Sequence, residues 1–206
     1  MLQNFEKKNV SVESIVKRVI KDNNLIGDLL EFTSSEKATI KYKSLKVLTL
    51  LSEQNSKLLY SKWDFFVNLL DNENTFLRTI GATIIANLTI VDKDQKFENI
   101  FDKYYNLLED KSMINAANIA QRSGIIAKAK PHLQDEITNK LSNIDKTHHS
   151  LECKNIIKGK IILSFEEYFE EYKNKEKIIQ FAQKELKNTR SATRKKAEKL
   201  IRKWDK

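Results

Sequence analysis

Apolar and polar positions alternate along this chain with the spacing of an α-helix. Apolar residues return every three or four positions, and each such stretch ends in a short polar segment. The region around Asp71 shows the pattern, because an apolar run ends there, a few polar residues follow, and a second apolar run begins at Leu77. The pattern predicts an all-α protein built from short helices that are joined by polar turns.

The predicted helices occur in pairs whose first members end alike. Each first helix finishes on a Leu or Ile that is followed closely by a polar residue, usually acidic or an amide. The successive intervals Leu30–Leu70, Asp71–Asp110, Asp110–Asp145 and Asp145–Asn188 are 40, 39, 35 and 43 residues. Intervals in this range are typical of two-helix repeats of about 40 residues.

This periodicity predicts one domain over residues 1–206, with an N-terminal cap in 1–24 and Ser11 as the N-cap of its helix. The predicted repeats are 25–57, 58–95, 96–131, 132–172 and 173–206. Their first helices are predicted at 25–32, 59–70, 98–109, 133–143 and 175–187, and their second helices at 38–53, 75–90, 112–128, 151–171 and 190–204.

The second repeat resembles the HEAT-repeat family of armadillo-type α-solenoids. The match rests on Asp71, Arg78, Gly81-Ala82 and Ile85-Ala86. The resemblance implies an all-α, right-handed α-α superhelix of about five helix pairs. It also implies a ladder of Asp and Arg side chains between repeats, in which Asp71 would accept from Arg78.

Glycine and proline are scarce, with 4 and 1 in 206 residues. Hairpin turns and phosphate-cradling loops both need glycine, so this composition argues against a β-sheet protein and against a P-loop. The single Cys153 predicts a reducing compartment. No apolar run reaches the length of a membrane span, and the N-terminus does not have the pattern of a signal peptide. We therefore expect a soluble cytoplasmic protein without membrane association.

A polar stripe on the second helices is the leading candidate for a binding surface. On a helical wheel, Thr83 and Asn87 lie opposite the small residues of one helix, and Asn115, Asn118 and Arg122 do so on the next. We expect this stripe to line the concave face and to bind a protein partner as part of a scaffold. The alternative is that it is an ordinary solvated face.

The C-terminal quarter of the chain is strongly basic. Of the formal net charge of +9, residues 153–206 carry +8, from 16 Lys and Arg against 8 Asp and Glu. The last helix places these cations on one face, and Lys195, Lys199 and Arg202 are the candidates for contact with nucleic-acid phosphates. The alternative is that a terminal helix needs a charged outer face for solubility.

Catalytic and metal-binding patterns are sparse, so the sequence predicts neither an enzyme nor a cofactor. His148 and His149 precede Cys153 but lack the further ligands of a structural zinc site. The HEAT resemblance leaves one enzymatic alternative, because some DNA glycosylases that remove alkylated bases are built from HEAT-like repeats. They use a carboxylate together with aromatic residues, and the Trp-Asp pairs here are Trp63-Asp64 and Trp204-Asp205.

Overall fold

The computed structural model describes Phe5 and residues 10–204, and in this part of the chain the regular structure is helical, without strands. The all-α fold class is therefore confirmed. The α-helices are α1 (Val12–Lys21), α2 (Leu25–Phe32), α3 (Ala38–Gln54), α4 (Trp63–Asn68), α5 (Thr75–Leu88), α6 (Lys96–Tyr105), α7 (Met113–Ala129), α8 (Gln134–Ser142), α9 (Leu151–Tyr168), α10 (Lys175–Glu185) and α11 (Ser191–Trp204).

Helix starts follow from the capping residues in the sequence. The Ser11 side chain accepts a hydrogen bond from the Ser14 amide at 3.1 Å, so the predicted N-cap of α1 is confirmed. Asn74 caps α5 through the Phe76 amide. These acceptors satisfy amide groups that the first turn of a helix leaves without an intrahelical partner.

Several helix ends differ from the predicted bounds because they tighten into 3-10 turns. The segment predicted as one helix over 59–70 is a short α4 with 3-10 turns at Tyr60–Lys62 and Leu69–Asp71. A similar 3-10 turn, Asn106–Glu109, follows α6. Such turns are common at helix termini and use the same apolar spacing, so the wheel pattern alone does not separate them from α-helix.

Helices contact one another in chain order. Within the pairs, α2 packs against α3, α4 against α5, α8 against α9, and α10 against α11. The Tyr105 hydroxyl of α6 donates to the Ser123 hydroxyl of α7 at 3.1 Å. Between pairs, α1 packs against α3, α3 against α5, α5 against α7, α7 against α9, and α9 against α11. The second helix of each pair thus contacts its counterpart in the next pair.

The turns within pairs have a common geometry that fixes their register. The side-chain oxygens of Asn72, Asp110 and Asn188 each accept from the amide two residues later, at 2.9, 2.7 and 2.8 Å. This is the Asx turn, in which a side chain closes the backbone turn. The structural counterpart of Asp110 is therefore Asn72, one residue beyond Asp71.

The predicted pairing of Arg78 with Asp71 is wrong. Arg78 contacts Asp110 of the following turn, with Nε to Oδ2 at 2.7 Å. Asp71 instead pairs with Lys103, at 2.6 Å. The reason is the position of the turn. In the pair formed by α4 and α5, the residue that closes the turn is Asn72, and its backbone carbonyl accepts a hydrogen bond from the Arg78 guanidinium.

Small residues allow the second helices to pack closely, as the sequence predicts. Ala116, Ala120 and Gly124 of α7 are all buried. A Cβ at Gly81 of α5 would lie 2.8 Å from the Leu69 Cβ, so only glycine fits that approach. Every residue from Gly81 to Leu88 is buried, which makes the second half of α5 the centre of the core.

Candidate nucleic-acid interface

The predicted polar stripe is mostly internal. Thr83, Asn87 and Asn115 are buried, with 4%, 3% and 1% of their surface exposed. Asn87 donates to the Ser52 hydroxyl of α3 at 2.9 Å, and Asn115 donates to Asp110 at 3.0 Å. The expected exposure of these three residues is wrong, because their polar groups join neighbouring helices.

The remaining stripe residues on α7 are partly exposed. Asn118 lies between helices, since its amide donates to the backbone carbonyl of Thr79 at 3.2 Å. The Arg122 guanidinium is 3.8 Å from the Glu53 carboxylate at the end of α3. Asn118 thus links α7 to α5, whereas the Arg122 ion pair is long and partly exposed. The role of both residues in binding a partner stays a prediction.

Helix α11 divides into a buried side and a basic side. Thr193, Ala197 and Leu200 are buried, and α11 packs against both α9 and α10. The opposite side carries what we call the basic arc. It consists of Lys195, Lys196, Lys199, Arg202 and Lys203.

The three predicted contact residues of the basic arc are all exposed. Lys195 and Arg202 have no carboxylate within 4 Å in the described part of the chain, and the Lys199 side chain is 71% exposed. Glu166 of α9 is 3.4 Å from the Lys199 ammonium and 3.6 Å from that of Lys203. Exposed ion pairs of this length are weak, so Glu166 offsets little of the positive charge of the arc.

Lys196 differs from the other members of the basic arc because it is half-buried. Its ammonium donates to the Gly159 carbonyl oxygen of α9 at 3.1 Å.

The pKa of Lys196 reflects these surroundings. Partial burial is the largest cause and lowers the pKa, and the positive charges of Lys160 and Arg190 lower it further. No carboxylate in the described residues lies within ion-pair distance of Lys160, Arg190 or Lys196.

A second group of charged side chains is largely buried and paired. The Lys130 ammonium lies 2.9 Å from the Asp92 carboxylate and 3.1 Å from that of Glu98. Asp92 also accepts from the Tyr60 hydroxyl at 2.6 Å and from the amides of Lys96 and Phe97. Burial alone would raise the pKa of Asp92, but these hydrogen bonds outweigh it and lower the pKa. These contacts join three loops, so the charged side chains of this group are explained by a structural role.

The histidines and Cys153 are not close to a set of metal ligands. His148 pairs with Glu109 at 2.9 Å, and the buried His149 contacts the Leu108 carbonyl at 2.9 Å. No group of three or more potential metal ligands occurs among the described residues. Cys153 is half-buried.

The tryptophans of the two Trp-Asp pairs both pack against other parts of the described structure. Trp63 is 2% exposed and packs in the core, whereas the neighbouring Asp64 is exposed. Trp204 stacks on Phe169 with ring centroids 4.6 Å apart, and Asp205 lies outside the described residues.

None of the helices in the described residues combines the length and apolar character that a bilayer span requires. In comparison with known proteins, no family model and no curated sequence matches this chain.

Proposed function

We propose that this chain is a non-catalytic HEAT-like module that binds the phosphate backbone of nucleic acid through the basic arc of α11. In the proposed architecture, about five helix pairs follow one another in a right-handed superhelix. The chain-order contacts between successive second helices support it, since nearest-neighbour packing is what helical repeats require. We place the protein in the cytoplasm, because a single cysteine predicts a reducing compartment.

One observation carries the nucleic-acid proposal: four exposed cations and the half-buried Lys196 share one side of α11, and among the described residues only Glu166 has a carboxylate within 4 Å of any of them. A terminal helix does need a polar outer face. However, mixed charges would serve solubility equally well, whereas charges of one sign repel one another. Such an arc is suited to neutralising phosphates and releasing their counterions.

The test is a salt titration of binding to random-sequence DNA and RNA, followed by fluorescence anisotropy. We expect binding that weakens steeply with salt and is abolished by Lys195→Glu, Lys199→Glu and Arg202→Glu together. The matched control replaces three exposed lysines outside α11, Lys17, Lys57 and Lys62, with glutamate. Its net charge changes by the same amount, but the basic arc is intact, so it should bind normally. Absence of binding at about 50 mM salt would refute the proposal.

A protein partner is the second candidate, and exposed apolar side chains favour it. One such residue lies near the start of each of four consecutive second helices: Tyr42, Phe76, Ile114 and Leu151. The rings of Tyr42 and Phe76 contact each other, with centroids 5.2 Å apart. If a protein is the partner, its cross-linking to the chain should be lost in Phe76→Ser with Ile114→Ser and retained in the α11 charge-reversal variant.

A further inference from the structure

The exposed rings of Tyr42 and Phe76 form one apolar surface across two helices. Tyr42 of α3 is 41% exposed and Phe76 of α5 is 38% exposed. The rings meet edge to face, with an angle of 80° between their planes and centroids 5.2 Å apart. Single exposed apolar side chains are common on protein surfaces, but two rings in contact across helices present a larger patch to a partner.

A cavity of about 370 Å³ lies beside Tyr42, between the starts of α1 and α3. Its apolar lining comes from Val12, Ala38 and Tyr42. Ala38 and Thr39 are short residues, so they leave space next to the aromatic ring. Pockets that bind small ligands have volumes of roughly 300–1,000 Å³, so this one can accept an apolar side chain from a partner.

Lysines surround this cavity. Lys43 and Lys46 complete its lining, and no carboxylate lines it among the described residues. Residues 37–46 contain four lysines and no acidic residue. The Lys43 ammonium donates to the Phe5 carbonyl at 2.9 Å, whereas Lys46 is exposed and has no carboxylate within 4 Å in the described chain. The rim of the cavity is therefore positively charged.

Helix stability does not explain these lysines. The start of a helix favours acidic side chains, because its free amide groups carry a positive partial charge. The first turn of α3 has no acidic residue, and Lys37 occupies its N-cap position. Cations at this end oppose the helix dipole, so the lysines and the helix end would both attract an anionic partner.

We propose that Tyr42, Phe76 and the adjacent cavity bind an acidic peptide segment of a protein partner, which inserts an aromatic or large aliphatic side chain into the cavity. The carboxylates of the peptide pair with Lys43 and Lys46 at the rim. This inference rests on the protein partner given above as the second candidate, and it is independent of nucleic-acid binding by α11. The apolar lining favours a peptide over nucleic acid, because a phosphate backbone has no apolar group to place there.

The test is a selection of random displayed peptides on the wild-type protein, followed by fluorescence anisotropy with synthetic copies of the enriched sequences. We expect these sequences to combine Asp or Glu with Trp, Phe or Leu. Tyr42→Ser should weaken their binding about tenfold or more, because buried aromatic anchors carry much of the binding energy. Lys46→Glu should slow association and reduce its dependence on salt.

Two matched controls change the same chemistry elsewhere. Ile90→Ser removes a side chain that is 63% exposed and lies at the opposite end of α5 from Phe76. Lys57→Glu reverses an exposed lysine beyond the end of α3. Both variants should bind the peptides like wild type, and circular dichroism verifies that every variant is folded.

Each outcome has a distinct meaning. Enrichment of basic peptides, or no enrichment, overturns the proposal. Binding that is lost in Phe76→Ser with Ile114→Ser but unchanged in Tyr42→Ser and Lys46→Glu overturns the cavity and leaves a protein partner standing. A random-sequence single-stranded oligonucleotide that displaces the peptides, and whose own binding is lost in Tyr42→Ser, assigns the surface to nucleic acid instead. Charge reversal on the basic arc should leave peptide affinity unchanged, so failure here does not affect the nucleic-acid proposal.

Discussion

Arg78 and Asp110 form a bidentate ion pair between the turn that precedes α5 and the turn that precedes α7. The guanidinium Nε and Nη2 donate to the two carboxylate oxygens at 2.7 and 3.0 Å. Its Nη1 donates to the carbonyls of Asn72 and Glu73 at 2.6 and 2.8 Å. One side chain thus satisfies the turn of its own helix pair and fixes the next one.

Replacing Arg78 should be strongly destabilising. Arg78→Met leaves the largely buried Asp110 carboxylate without its cation, and we expect the free energy of unfolding to fall by about 3 kcal/mol. Arg194→Met is the matched control, since Arg194 donates to the equivalent carbonyls of Asn188 and Thr189 but contacts no carboxylate among the described residues. It should cost about 1 kcal/mol. Urea denaturation measures both, and equal losses would contradict a special role of the ion pair.

The same ion pair makes stability depend on pH. Burial alone would raise the pKa of Asp110, but hydrogen bonds from Arg78, the Ser112 amide and Asn115 lower it below the ordinary value of 3.8. The folded state therefore binds fewer protons than the unfolded state. This contribution to stability is complete above the ordinary pKa and is lost as the pH falls through the folded pKa.

The variant Asp110→Asn should weaken this dependence. Urea midpoints measured from about pH 7 to about pH 3 should fall less steeply for the variant than for wild type. Asp64→Asn changes an exposed carboxylate with no hydrogen bond in the described structure, and it should follow the wild-type curve. A wild-type slope in Asp110→Asn would show that this carboxylate is not linked to folding.

Two glycines should respond oppositely to the same substitution. A Cβ at Gly27 of α2 meets nothing within 4 Å, so Gly27→Ala should stabilise the protein by about 0.5–1 kcal/mol. A Cβ at Gly81 would lie 2.8 Å from the Leu69 Cβ and 2.9 Å from the Phe66 carbonyl oxygen. Gly81→Ala should therefore destabilise by about 1–3 kcal/mol. Thermal unfolding gives the sign of each, and the same sign for both would contradict this packing.

Lys130 is expected to be the most sensitive lysine in the described chain. Its side chain is 5% exposed and contacts both Asp92 and Glu98. Lys130→Met leaves these carboxylates without their shared cation and should cost about 3 kcal/mol in urea denaturation. Lys128→Met, at an exposed position of α7 two residues earlier, should change stability by less than about 0.5 kcal/mol. A small loss at Lys130 would indicate that water replaces its contacts.

The sequence was informative about the helices because apolar spacing is a local property. The predicted 25–32 agrees with α2 (Leu25–Phe32), and the predicted start at Thr75 agrees with α5. The errors at helix ends occur where 3-10 turns use the same spacing. The superhelical arrangement of the pairs stays a prediction.

The site was harder to predict because it depends on contacts between helices. A helical wheel places Thr83 and Asn115 on a polar side, but it does not show that a neighbouring helix covers that side. The basic side of α11 is local, so its exposure was predictable. Lys196 reaches the backbone of α9 through the approach at Gly159, which spacing along one helix does not reveal.

The enclosure of α5 has a consequence for how the molecule opens. Because its second half is buried on all sides, its amide protons should exchange with solvent most slowly. Helix α11 contacts neighbours on one side only, so fraying should begin there more readily. A ligand bound to α11 would then stabilise the helix of the described structure that opens first, and its affinity would appear as slower exchange in that helix.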